Sequence, residues 1–449
     1  MDLEKHSIGF IPETERYGHP RRLFTVWFGT NLSIVCMTVG MLGVFAGLSF
    51  GWALLALVIG NAIGTVFMAA HSAQGPHLGV PQMIQSRAQF GVLGAALPLL
   101  AVVVTYTLYN AANGAVVGPA LAATFGLGSV AAPVIFGIAT VLVAFVGYEL
   151  IHRIGAAMSV LSGLALAATA LILWTGTGGA PAPVAVQSGF APAIFLATIT
   201  QATAWGLTYG PYVADYSRYL PSNVSTARTF WATALGCFLG STLTMVLGAW
   251  LASFFAAIAG DPGVGIPALF GPLALPVRLL LILGLLLGNV MTLYSAYMAS
   301  AGVLSGFHRR ETIGLGTKLA LMAALIAVAT VIAIATAGNF EHVFGDMLSL
   351  MVYLLVPWSA INLADYYWVR RGRYEVPALF DLDGQYGRFN AATLAIYAAT
   401  ILIELPFLQV AAWTGPMARW IGADIGWLPG LVVPGLLYTL IERRRLARQ

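Results

Sequence analysis

Charge is what this 449-residue sequence has least of: Asp, Glu, Lys and Arg together make up 8%, against roughly 25% in a typical soluble domain. Hydrophobic residues account for 59%, and the mean hydropathy is +0.85. So few charges cannot cover a soluble surface at this length, which excludes a soluble enzyme. Disorder is excluded too, since it requires low hydrophobicity and high charge. The net charge of +4 is not gathered into one basic block, so nucleic acid is not an expected partner. Cysteine is nearly absent. Cys36 and Cys237 both sit in apolar runs with no metal-binding spacing, so neither a disulfide framework nor a zinc site is expected. No HExxH, GxSxG or Walker pattern occurs, and the 7 histidines are read at helix ends or in loops. No catalytic constellation and no cofactor are expected. The first twenty or so residues are polar and lack the apolar core of a signal peptide, so the first span is expected to serve as its own signal.

What the sequence has is long apolar stretches. A membrane helix needs about 20 predominantly apolar residues. Twelve stretches qualify: 24–47, 51–73, 92–124, 129–148, 155–175, 190–213, 229–258, 273–303, 316–337, 346–369, 391–411 and 425–441. With twelve spans and a cytoplasmic N-terminus, all but Arg278 and Arg419 of the 21 Lys and Arg residues fall on the cytoplasmic side, as the positive-inside rule requires. The expected protein is multi-pass in the cell (inner) membrane, with both termini cytoplasmic. Its expected divisions are a cytoplasmic segment 1–23, spans one to five over 24–175, spans six to ten over 190–369, two further spans over 391–441, and a basic tail 442–449. The Gly/Pro/Ala-rich stretch Gly176–Gly189 reads as a linker.

Broken helices and rare polar groups near midplane mark transport sites. The first span contains Gly29-Thr30-Asn31-Leu32-Ser33, whose unwinding would free carbonyls for a cation. The sixth contains Trp205-Gly206-Leu207-Thr208-Tyr209-Gly210-Pro211-Tyr212; two glycines and a proline so close together interrupt a helix. The two interrupted spans hold the same position in each half of a five-plus-five inverted repeat, which points to a midplane site. On the third span, Tyr106 and Asn110 share a helical face, with Tyr109 and Asn113 alongside. On the eighth, Asn289, Thr292 and Ser295 form one stripe. Asp215 and Asp365 lie at helix ends near Arg218 and Arg370, where surface ion pairing is the plain reading. Glu404 is an intramembrane carboxylate, a functional candidate by default, though it lies in the final pair outside the repeat.

Several stretches, in order along the chain, resemble the nucleobase–cation symporter-1 family, the purine–cytosine permeases. They are Ile8-Gly9-Phe10-Ile11-Pro12, Gly60-Asn61-Ala62-Ile63-Gly64, Gly79-Val80-Pro81-Gln82-Met83, Ala214-Asp215-Tyr216-Ser217-Arg218-Tyr219 and Asn362-Leu363-Ala364-Asp365-Tyr366-Tyr367. The resemblance implies an all-α polytopic membrane protein of about twelve helices: a LeuT-like five-plus-five inverted repeat with two extra C-terminal helices. It implies secondary transport by alternating access, in which a cation drives import of a nucleobase or related ring. Carried over residue by residue, the substrate positions are Tyr106, Asn110, Trp205, Gly206, Thr208, Tyr209 and Asn289. The cation positions are Thr30 and Ser33 on the first span and Thr292 on the eighth. The family's paired hydroxyls fall here at Met291/Thr292 or at Thr292/Leu293, so one hydroxyl remains in either alignment. That departure favours H+ over Na+ as the coupling ion.

The expected partners are therefore a small-molecule nucleobase (cytosine or a purine), H+ or Na+, and the lipid bilayer. Allantoin, a hydantoin, uracil or a pyrimidine vitamin precursor would fit the same pocket chemistry. A channel or a membrane sensor is a reading from another class, and concentrative uptake separates it from a symporter. The oligomeric state is not written in the sequence.

Overall fold

The computed structural model describes residues 8–146, 148–177, 189–308, 313–337 and 340–447. The terminal residues 1–7 and 448–449 and most of the Gly176–Gly189 linker lie outside them. Each of the twelve expected stretches is helical. The first is split into α1 (Arg21–Thr30) and α2 (Ile34–Phe45), bent by 59° at the break. Then follow α3 (Phe50–Ser72), α4 (Ala96–Phe125), α5 (Ala131–Val146) and α6 (Tyr148–Thr175). The sixth stretch is split into α7 (Pro192–Leu207) and α8 (Gly210–Ser217). The rest are α9 (Thr226–Phe254), α10 (Ala274–His308), α11 (Leu315–Thr336), α12 (Phe340–Ala364), α13 (Ala391–Glu404) and α14 (Trp427–Leu446). Among the described residues, six helices are individually long and apolar enough to cross a membrane, and the bent α1–α2 pair makes a seventh if taken as one span. The remaining stretches are shorter, interrupted, or more polar. A two-residue hairpin, β1 (Gln409–Val410) with β2 (Trp413–Thr414), follows α13.

The breaks arise from local chemistry. At the first, the Ser33 hydroxyl accepts from Cys36 N–H at 3.2 Å and caps α2, so the chain restarts as a new helix. At the second, Pro211 has no N–H to extend α7, and Pro near a helix start suits α8. The α3–α7 contact depends on missing side chains. A Cβ on Gly206 would lie 2.8 Å from the Gly64 carbonyl carbon, and one on Gly64 would strike the Thr203 carbonyl. Small residues at a helix crossing let two backbones touch in this way.

One end of the molecule is closed by a buried polar cluster. Three short helices, Gly75–Leu78, Gln82–Gln85 and Arg87–Phe90, pack there against α8 and the end of α12. His71 lies in the last turn of α3, as expected of a histidine at a helix end, and it is fully buried. Its ring stacks on Trp358 at 4.7 Å and its Nε2 bonds the Ser359 hydroxyl at 2.8 Å. Asp365 is not a surface ion pair. It is fully buried, and it takes Gln89 at 2.7 Å, Tyr374 at 2.6 Å, Tyr438 at 2.9 Å and Arg370 at 3.2 Å. Asp215 accepts from the Gln82 N–H at 2.8 Å. These carboxylates tie down short helices whose apolar side chains, among them Leu78, Ile84 and Phe90, are also buried in the core.

Candidate functional site

The two helix breaks meet. Asn31, between α1 and α2, is fully buried. Its Oδ1 accepts the Trp205 indole N–H at 2.6 Å and the Tyr209 hydroxyl at 3.3 Å. Its Nδ2 donates to the Trp27 carbonyl at 2.6 Å. One amide thus ties the first break to the aromatics of the second. Around that knot the rings pack edge to face: Trp205 with Tyr209 at 5.9 Å, Trp205 with Tyr109 at 5.9 Å, and Tyr106 with Tyr212 at 5.2 Å. Such pairs are stabilising beyond their buried area. Two phenols of α4 reach the second break. Tyr106 donates to the Thr208 carbonyl at 3.0 Å, and Tyr109 bonds the Thr208 hydroxyl at 3.0 Å.

These residues enclose a cavity with about 540 Å³ of empty space up to and including its mouth. Tyr106, Trp205, Thr208 and Tyr209 line it, as do the cation candidates Thr30, Ser33 and Thr292. Tyr109, Asn113 and Tyr212 complete its polar and aromatic wall. Three expected residues stand elsewhere. Asn110 turns back on its own helix, donating to the Tyr106 carbonyl at 2.7 Å, and its Oδ1 is buried with no partner among the described residues. Gly206 faces Gly64 of α3. Asn289 sits one layer behind the wall. Gly206→Ala is expected to destabilise the fold by about 1–3 kcal/mol through overpacking against α3, read as a lower melting temperature of the purified protein.

A hydrogen-bond relay behind the wall fixes the polarity of the cavity. The Thr140 hydroxyl donates to the Phe136 carbonyl at 2.8 Å, so it must accept from Asn289 Nδ2 at 2.9 Å. Asn289 Oδ1 then faces Asn113 Nδ2 at 3.1 Å. Asn113 lines the cavity with its carbonyl oxygen and its second amide hydrogen still unspent. Asn113 and Tyr212 were not among the expected ligands. The signal was present: the run Tyr106-Thr107-Leu108-Tyr109-Asn110-Ala111-Ala112-Asn113 holds the aromatic–amide spacing twice.

A smaller recess lies beside the first break, lined by Gly29, Thr30, Leu32, Ser33, Ser162, Gly284, Leu287, Gly288 and Met291. Thr30 and Ser33 face it and Thr292 does not. The Thr30 hydroxyl donates to the Val26 carbonyl at 2.8 Å and lies 3.8 Å from the Met291 sulfur. The Thr292 hydroxyl donates to the Gly288 carbonyl at 2.7 Å.

The chain as a whole has counterparts among known proteins. Residues 10–428 match the family described as "Permease for cytosine/purines, uracil, thiamine, allantoin". The chain belongs to that family. The Bacillus subtilis protein YxlA, whose name assigns it provisionally to the purine–cytosine permeases, is 37% identical over 100% of this chain and 98% of its own length. The purine–cytosine permease FCY2 of Saccharomyces cerevisiae is 25% identical over 93% of this chain and 81% of its own. In fold, the chain resembles Mhp1, a nucleobase–cation-symport-1 family transporter, in its closed, bromovinylhydantoin-bound form. The TM-score is 0.75 at 19% identity, covering 100% of this chain and 96% of Mhp1. The permease is thus a multi-pass all-α transporter with a LeuT-like five-plus-five core and two extra C-terminal helices, and it is not an enzyme.

Proposed function

We propose that this permease imports a nucleobase, cytosine or a purine, by symport with protons through alternating access. The observation that carries the reading is the cavity at the paired helix breaks: flat aromatic walls from Trp205, Tyr109, Tyr209 and Tyr212, with one amide acceptor at Asn113. A planar ring stacks on such walls and offers a ring N–H to the acceptor. Tyr106 and Thr208 complete the lining, while Asn110, Gly206 and Asn289 act from behind the wall. Protons are favoured over sodium because the recess beside the first break presents the Met291 thioether toward Thr30. Hard cations take oxygen ligands, and thioethers suit soft metals. In this reading residues 24–175 and 190–369 are the two repeats, both termini are cytoplasmic, and the protein resides in the cell (inner) membrane.

The test is thermal stability of the purified protein against cytosine, purines, uracil, allantoin and hydantoins, each with and without sodium. A ligand at 100 times its Kd stabilises by about 2.7 kcal/mol. The expected result is a shift with cytosine or a purine that sodium leaves unchanged. A shift only with allantoin, uracil or a hydantoin would move the substrate within the same fold. A shift that requires sodium would overturn the proton reading.

A further inference from the structure

Glu404 ends α13, in the pair of helices outside the five-plus-five core. Its side chain is fully buried, and neither carboxyl oxygen has a hydrogen-bond partner among the described residues. Gly430 of α14 comes so close that a Cβ there would collide with Glu404 Oε1, so backbone covers the carboxyl from that side. The titratable groups facing it are Asp424 just before α14, Tyr353 on α12 and Tyr397 on its own helix. None is basic. Asp424 is already satisfied: it accepts from the Tyr353 hydroxyl at 2.6 Å and from the N–H groups of Gln409 and Gly426 at 3.1 Å each. Burial holds the Asp424 carboxyl above its ordinary range, and those three hydrogen bonds offset only part of that. An ionised Glu404 in this place would have no donor, no counter-charge and a second carboxylate beside it. Such a charge is not sustained in an apolar interior. Among the described residues, no group of three or more His, Cys, Asp or Glu could hold a metal there. A proton needs only one carboxyl oxygen.

We propose that Glu404 is a proton-binding site that couples the two extra helices to the moving parts of the core. The link runs through Asp424. Its carboxyl holds Tyr353 of α12, and its backbone carbonyl accepts from the Thr200 hydroxyl of α7 at 3.2 Å. The α7 helix is the half of the broken span that carries Trp205 to the cavity. With a proton on Glu404, the two carboxyls pack side by side. When that proton leaves to water, two like charges repel, the Tyr353–Asp424 contact weakens, and α7 and α12 lose a shared anchor. Linkage makes this reciprocal: movement of α7 and α12 changes how firmly Glu404 holds its proton. Acid favours the packed arrangement and alkali loosens it.

Two measurements on the full chain in liposomes test this. The first is infrared difference spectroscopy across pH, without substrate. The wild type is expected to show a protonated-carboxyl C=O band that disappears in Glu404→Gln and shifts in Glu404→Asp. The second rests on the proposed proton symport: accumulation of labelled cytosine or adenine driven by a pH gradient. Glu404→Gln is expected to lower that accumulation roughly 5- to 150-fold, the range of ordinary coupling, while exchange of internal for external base persists. Gradient-driven accumulation by Glu404→Gln equal to wild type would overturn the proposal. So would a wild-type spectrum with no such band. If the wild type accumulates neither base, the proposed function fails, and the infrared result alone decides the fate of the proton site. If Glu404→Gln does not fold, the band shift in Glu404→Asp decides it.

Discussion

Asn31→Ala is expected to abolish uptake in a protein that still reaches the membrane. The substitution removes the one acceptor shared by Trp205 and Tyr209. Both donors are buried, and each unsatisfied buried group costs about 1–3 kcal/mol. Two such groups amount to roughly 2–6 kcal/mol, which is about a 30-fold loss or more in the population of the assembled cavity. The ring of Trp205 would then be free to turn out of the wall that a planar substrate stacks on. Ligand-induced thermal shifts of the purified variant measure the loss directly. Asn31→Asp keeps an acceptor for both donors and gives up the bond to the Trp27 carbonyl, so it should retain more binding than the alanine variant. Equal ligand affinity in Asn31→Ala and wild type would refute the role given to this amide.

Asp365→Ala should have the largest effect on the fold itself. Three hydrogen-bond donors, from Gln89, Tyr374 and Tyr438, and the Arg370 guanidinium converge on this carboxylate. Removing one partner of a buried ion pair costs roughly 3–5 kcal/mol, because the other charge stays buried and uncompensated. Arg370 keeps a contact to Glu442 at 3.4 Å, which offsets only part of that. The expected outcome is a sharp fall in the yield of monodisperse protein and in its melting temperature, with or without ligand. A variant that purifies and melts like the wild type would show that the cluster does not hold this end closed.

The spans were legible because hydrophobic runs of membrane length have few other uses, and the two helix breaks because Gly and Pro act locally. What sequence could not choose was the face of α4. Tyr106–Asn110 and Tyr109–Asn113 have the same spacing, and three residues along a helix turn a side chain by about 300°, nearly a full circle. The two pairs therefore look alike until neighbours are placed, and it is their placement that puts Asn113 on the cavity and turns Asn110 back on its own helix. The Asn31–Trp205 bond was invisible for another reason: its partners are 174 residues apart. Asp365 was misjudged because a polar residue near a helix end reads as exposed. Here three short helices fold over that end and bury it. Glu404 was legible as an anomaly, but not its want of a partner, which depends on where α14 lies.

The relay from Phe136 to Asn113 has a bearing on how selectivity could change. Each link has a direction, and the direction is set where the Thr140 hydroxyl donates to a main-chain carbonyl. A ring that sets a lone pair against Asn113 Oδ1 would meet oxygen against oxygen. Turning Asn113 over would not cure this alone, because Asn289 and then Thr140 would have to turn with it. The preference of the cavity is thus held at arm's length from the cavity, and drift toward a ligand of opposite polarity would begin at Thr140, which is not part of the cavity lining.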